Sequence, residues 1–531
     1  MRRLLTSVLA AATLGGVAVQ AGDARPRLVV GIVVDQLRTD YIEYLRDKFG
    51  EQGFKTLLSE GVYIPDVDFK PARLDAVNST AMLMTGAYPA RTGVPAAYIP
   101  SQNGLQQSMR PALTDAAGTT LTNDSFTPAG ISLTTIADEL VIDSDGASQV
   151  YSVATDPQVA LAIAGHSGKG AFWINNSSGN WVSSSYYGAI PSAVSNRNFR
   201  NSISQRIDTM RWTPSAQTLS LPHIAGAKTK APFRHTFSRQ DRDVYNKFLT
   251  TPMANAEVTD VAIDLIGNLN LGSTPGQTDM IGVGYTLAPF KYVAGSNSAE
   301  LADSYLRLDR QLARLQEAID RKVGHGNALI FLTSTGYFDD AVVTDKRYRL
   351  PGGDFSTKKA RSLLNSYLSA KYGGGEYVQT IRDGQVYFDK RVLEQRSQDP
   401  ESLISEARTF LMKMSGVADA YTYGEILGSE GDDEKALRLA LDPRTAGDIV
   451  IRFTPGWDVH YDEQLPEVVK QTREAAVMSP AILVIPGVAP RTIDTPVDAV
   501  RLAPTVTGAL RIRPPNGARQ RSIPLSTKYH Q

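Results

Sequence analysis

Runs of apolar residues without polar alternation recur along the chain and set its architecture. Leu28-Val29-Val30-Gly31-Ile32-Val33-Val34 is the first, and similar runs follow at Gln149-Val150-Tyr151-Ser152-Val153, at 279–285, at 328–333 and at 481–485. A strand with no alternation is covered on both faces, as in a parallel sheet flanked by helices. Helical periodicity lies between these runs. Leu301, Tyr305, Leu308, Leu312, Leu315 and Ile319 recur at spacings of three and four and predict one core-facing stripe. Shorter helices are expected over Asp40 to Leu45, over Gly53 to Leu58 and from Glu401 to Met412, with further strands at Gln385 to Phe388 and Asp448 to Phe453. Residues 168–280 read differently. Short aromatic strands such as Gly170 to Ile174 alternate there with Asn/Ser/Gly turns, which predicts an inserted cap subdomain. Lys346 to Lys371 reads as basic and loop-rich.

At 531 residues the chain is long enough for a large α/β domain carrying such an insertion. Lys+Arg and Asp+Glu are equal at 55 each, so net charge offers no argument for nucleic acid as a partner. Residues 1–21 read as a signal peptide: Arg2 and Arg3 precede an apolar stretch from Leu4 to Val19 and a small-residue cleavage site at Ala21. No other run is long enough for a transmembrane helix. The chain has no cysteine, which excludes disulfides, a thiol nucleophile and a lipidated cysteine after the signal. Together these features predict a periplasmic or secreted bacterial protein.

Asp35, directly after the first run, falls at the carboxyl end of a strand, where open α/β sheets collect ligands. The local alternative is a turn former or cap. From Ala76 the stretch Arg73 to Gly86 reads as a loop-to-helix start, whose free N–H groups suit an anion.

Val33-Val34-Asp35-Gln36, the block Ser79 to Gly93, Thr135 to Leu140 and Ser304 to Arg310 resemble the alkaline phosphatase superfamily. The resemblance is strongest to the phosphate-irrepressible branch with a threonine nucleophile, related to type I phosphodiesterases. Gly179-Asn180-Trp181, Tyr186-Tyr187, Ile493 to Val497 and Arg501 to Thr505 extend it, so that it runs from about Arg27 to Pro515. It implies an α/β fold with a doubly wound, mostly parallel sheet, whose core is formed by 22–167 and 281–515, with a cap over 168–280 and a tail over 516–531. It also implies two zinc ions held by aspartates and histidines, where paired cations activate a nucleophile and stabilise the leaving oxygen.

Transferred residue by residue, the resemblance retains only Asp35 as a vestigial metal ligand. Ala76 takes the nucleophile position, and the hydroxyls of Ser79 and Thr80 fall too far along the helix to replace it. Ala97 stands where an asparagine contacts phosphate, and Asp156 and Gln158 stand where a cationic pair grips it. The remaining ligand positions hold Ala288, Tyr292, Thr335, Gly336 and Met478. None of the six histidines, at 166, 223, 235, 325, 460 and 530, follows a sheet strand with a carboxylate at ligand spacing. His166 is expected to be structural, and His460, between Asp458 and Asp462, is a weak alternative site.

The expectation is therefore a pseudophosphatase of the cell envelope with no cofactor, binding an envelope protein or a ligand. Zinc belongs to the contrary case of an active phosphomonoesterase or phosphodiesterase with a rearranged site. One form of that alternative places Asp35, Asp75 and Asp339 around a single Mg²⁺ or Ca²⁺. A separate alternative is a glycan-binding module using Trp173, Trp181 and Tyr186.

Overall fold

The computed structural model describes residues 25–100, 109–115, 122–215, 233–290, 292, 298–338, 352–396, 399–454, 457–460 and 477–525. The expected signal peptide, Asp339 and Asp340, His223 and His530 lie outside the described residues.

The main sheet is built from β1 (Leu28–Asp35), β2 (Val62–Ile64), β3 (Val150–Ala154), β4 (Gly170–Ile174), β5 (Trp181–Val182), β6 (Asp279–Thr286) and β7 (Ala328–Ser334). Further along the chain come β8 (Val378–Arg382), β9 (Gln385–Phe388), β10 (Val417–Thr422) and β11 (Ile449–Phe453). Last are β12 (Ala481–Val484) and β13 (Arg491–Thr492), which return to the main sheet. Its order is β13-β2-β12-β7-β1-β6-β3-β4-β5. The run from β7 to β4 is parallel; β5 adds antiparallel to β4, while on the other side β12 runs antiparallel to both β7 and β2, and β13 runs parallel to β2.

β1 is central, pairing Leu28 with Asp279 on one side and with Ala328 on the other. Its residues divide by parity: Val29 and Val33 enter one core, while Leu28, Val30, Ile32 and Val34 enter the other. Both faces are covered, as the unbroken apolar run requires. Gly31 is needed in the middle because a Cβ there would lie 2.5 Å from the Phe331 ring.

The helices that position the site are α1 (Ala76–Thr85), α2 (Ile136–Asp143), α3 (Pro157–Ala164), α4 (Pro252–Asn268) and α5 (Ser298–Val323). The stripe from Leu301 to Ile319 on α5 is buried throughout.

Among the described residues of the expected cap, β4 and β5 extend the main sheet, and α4 packs against α5 and β6 over one of its faces. A second sheet lies between residues 353 and 460. There β8-β9-β11-β10 form an antiparallel sheet, backed by α6 (Thr357–Tyr372) and α7 (Pro400–Leu411) around their own core. The stretch to Lys371, expected as loop, is thus helical from Thr357 because Ala360, Leu364 and Leu368 point into that core. Within the expected tail, Ile523 is buried and its N–H donates to the Thr505 hydroxyl at 2.7 Å.

Candidate functional site

β1 delivers Asp35 to the carboxyl edge of the sheet. Its Oδ1 accepts from the Thr335 hydroxyl at 2.9 Å, and that hydroxyl oxygen in turn accepts from the Gln36 N–H at 3.0 Å. Gln36 occupies the left-handed region with φ 62°, which turns the chain sharply after the strand. Burial pushes the Asp35 carboxyl up to about 6; hydrogen bonds from Tyr337 and Thr335 oppose the shift and the charge of Asp156 adds to it.

That shift has a sign. The folded carboxyl holds its proton more tightly than the unfolded one, so stability falls as pH rises from 3.8 through about 6. Asp35→Asn removes the cost of ionisation while keeping an acceptor for Thr335. It is expected to raise unfolding free energy at pH 7.5 by about 1–3 kcal/mol, with the gain vanishing near pH 4. Urea melts at the two pH values measure this; an equal or lower stability at pH 7.5 refutes it.

α1 begins at the loop-to-helix transition expected from sequence. Ala76 is its first residue, half-buried, with Asp75 as the N-cap. The nearby hydroxyls are engaged or buried: Thr80 Oγ1 donates to the Ala76 carbonyl at 2.5 Å and Ser79 is fully buried. Asp75 is buried and accepts from the N–H groups of Val77 and Asn78, both at 2.9 Å, and of Ala97 at 2.7 Å. The Ala97 carbonyl accepts from Gln158 Nε2 at 3.0 Å, and Gln158 Oε1 accepts from the Leu113 N–H at 2.9 Å. Ala97 and Gln158 are thereby parts of a buried structural knot. Asp156 caps α3 through the N–H groups of Gln158 and Val159. The knot was not anticipated, although Asp75-Val77-Asn78 carried a signal: a capping-box spacing directly before an apolar helix.

The positions that the resemblance assigns to metal ligands are occupied in other ways. Thr335 is buried against Asp35. Gly336 has φ 77°, and a Cβ there would lie 2.1 Å from the Phe69 ring, itself buried. Ala288 is tied through its N–H to the Thr286 hydroxyl at 3.1 Å. Tyr292 is exposed and donates its hydroxyl to Asp243, its ring leaning on Phe290 within an aromatic cluster that includes Trp212 and His235. Met478 is exposed, and its carbonyl accepts from the Thr39 N–H.

The other candidates do not converge on Asp35. His166 bridges Asp138 at 2.9 Å and the Ile131 carbonyl at 3.0 Å. His235 pairs with Glu300 at 3.0 Å, and exposed His460 with Asp354 at 2.8 Å. Among the described residues no group of three His, Cys, Asp or Glu side chains is disposed to hold a metal ion. Asp75 has its carboxylate committed to backbone donors, which weakens the site imagined from Asp35, Asp75 and Asp339. The glycan-binding alternative fails on burial: Trp173 and Trp181 are 2% and 1% exposed, and Trp173 packs on Phe126. Only Tyr186 of that trio reaches solvent.

A known alkaline phosphatase has nearly the same chain path. The crystal structure of wild-type alkaline phosphatase PafA superposes with a TM-score of 0.79 at 26% identity, over 94% of this chain and 98% of that one. In sequence, alkaline phosphatase PafA from Elizabethkingia meningoseptica is 28% identical over 528 residues, covering 93% of each chain. Alkaline phosphatase PhoV from Synechococcus elongatus is 27% identical over 526 residues, covering 93% of this chain and 92% of that one. Residues 29–478 match the family described as type I phosphodiesterase / nucleotide pyrophosphatase. With the sheet, the helix placement and this match in agreement, the chain belongs to the type I phosphodiesterase / nucleotide pyrophosphatase family, within the alkaline phosphatase superfamily.

Proposed function

We propose that this protein is a catalytically degenerate member of its family, a pseudophosphatase that binds rather than hydrolyses. The observation that carries the reading is the packing at Gly336. A Cβ at position 336 would lie 2.1 Å from the buried Phe69 ring, which supports the loss of a ligand there. Ala76 at the nucleophile position supports it, since a methyl group has no oxygen with which to attack phosphorus. The donor set around Asp35 does not suit paired zinc ions, which call for several imidazole and carboxylate ligands.

The relatives' names place hydrolysis in the family, and the loss proposed here is this chain's own. The basic, apolar, small-residue start of the sequence supports export, with the mature protein working in the periplasm or outside the cell. Its role there is to bind an envelope protein or a ligand.

Metal analysis of the purified protein after zinc loading, together with hydrolysis of a chromogenic phosphate ester, tests the reading. Substoichiometric zinc and no turnover above buffer are expected, both for the wild type and for Ala76→Thr. Stoichiometric zinc accompanied by turnover would sink it.

A further inference from the structure

A partly open crevice separates the entry to α1 from the unit carrying β8 to β11. Arg73, Asp75, Asn78 and the 95–100 segment form one wall; Gln385, Tyr387 and residues 440–446 form the other. Asp35, Ala76 and Asp156 do not line it, although Asp75 and Asn78 flank Ala76 and Tyr98 follows Ala97, so the crevice adjoins the degenerate centre.

The polar groups on the walls divide unevenly. The acceptors are largely engaged: Asp75 by backbone N–H groups, Asp442 by Arg444 at 2.6 Å, and the Asn78 carbonyl oxygen by the Asp75 N–H at 2.9 Å. Donors are left over. Among the described residues the Arg73 guanidinium makes no hydrogen bond or ion pair, although half-buried. Gln385 is 9% exposed; its Oε1 accepts from the Gly447 N–H at 2.9 Å, while its Nε2 has no partner among the described residues. The Tyr98 hydroxyl likewise has none, and burial pushes it up to about 12, so it stays a donor at neutral pH. Spare groups that all donate recognise an acceptor, and a guanidinium among them selects an anionic one. The rings of Tyr98 and Tyr387 and the flanks of Pro95 and Pro100 offer an apolar surface beside it.

We propose that this crevice binds a small organic molecule bearing an oxyanion, held by Arg73 and Gln385 with Tyr98 as a further donor. The proposal deepens the binding role put forward above and rests on it.

Isothermal titration calorimetry of the full chain with inorganic phosphate, glycerol 3-phosphate and succinate tests it, the probes separating phosphate from carboxylate recognition. Saturable binding of at least one probe is expected, weakened tenfold or more both by Arg73→Ala and by Gln385→Glu. The second variant keeps the acceptor for the Gly447 N–H and places a carboxylate beside Arg73, so it excludes an anion without removing a packing contact. Thermal midpoints of both variants should stay near wild type. No saturable binding of any probe, or binding that persists within threefold in either folded variant, overturns the proposal. Hydrolysis of glycerol 3-phosphate during the titration would instead overturn the pseudophosphatase reading, leaving the crevice to be judged by the variants.

Discussion

Asp75→Ala is expected to lower unfolding free energy by about 2–5 kcal/mol. The side chain supplies the N-cap of α1, whose loss alone costs about 0.5–2 kcal/mol. It also satisfies the Ala97 N–H, which is buried and would be left without a partner, adding about 1–3 kcal/mol. Because Ala97 is tied onward to Gln158 and Leu113, the damage should reach the start of α3 as well. Asp75→Asn separates the two parts: an amide oxygen can still cap the helix, but its NH₂ would face the Ala97 N–H donor to donor. Equilibrium urea melts of the three proteins measure the effect. A loss below about 1 kcal/mol for the alanine variant contradicts the knot.

Gly336→His, which would return a metal ligand to its family position, is expected to destabilise by about 2–5 kcal/mol rather than to restore chemistry. A left-handed φ costs a residue with a Cβ about 1–2 kcal/mol. Overlap with the Phe69 ring adds an overpacking cost of about 1–3 kcal/mol. The steric part is separable, because it needs the ring. In a cycle of Gly336→Ala with Phe69→Ala, the glycine replacement should cost less in the background lacking the ring, giving a coupling of about 1–3 kcal/mol. Additive costs would mean that the ring does not fill the site. This packing carries the functional proposal, so the cycle bears on both.

The sheet was legible because burial on both faces leaves an unmistakable trace in sequence. Leu28 to Val34 and the runs that became β3, β6, β7 and β12 are apolar whichever way a side chain points, and each proved to be a strand of the main sheet. The stripe on α5 was legible for the complementary reason, a single buried face at helical period. That Gly170–Ile174 and Trp181–Val182 join the main sheet was not legible, because turn chemistry reports where the chain bends and not which sheet its strands join. In the site, the identities of Ala76, Ala288 and Tyr292 could be read directly, but the present work of Ala97 and Gln158 could not. A buried glutamine bridging two loops looks in sequence like a surface glutamine.

From sequence alone came the elements, the family to which they point, and the residue types available at the carboxyl edge of the sheet. Those properties are local: period, capping and side-chain chemistry belong to each segment before it meets another. Tertiary structure decided that Phe69 fills the space beside Gly336, that Asp75 is consumed by the Ala97 segment, and that Arg73 and Gln385 face one crevice. Each depends on which buried or half-buried surfaces come together across long stretches of chain. Hydrophobic patterning sets how much surface each segment must bury and leaves open what it is buried against.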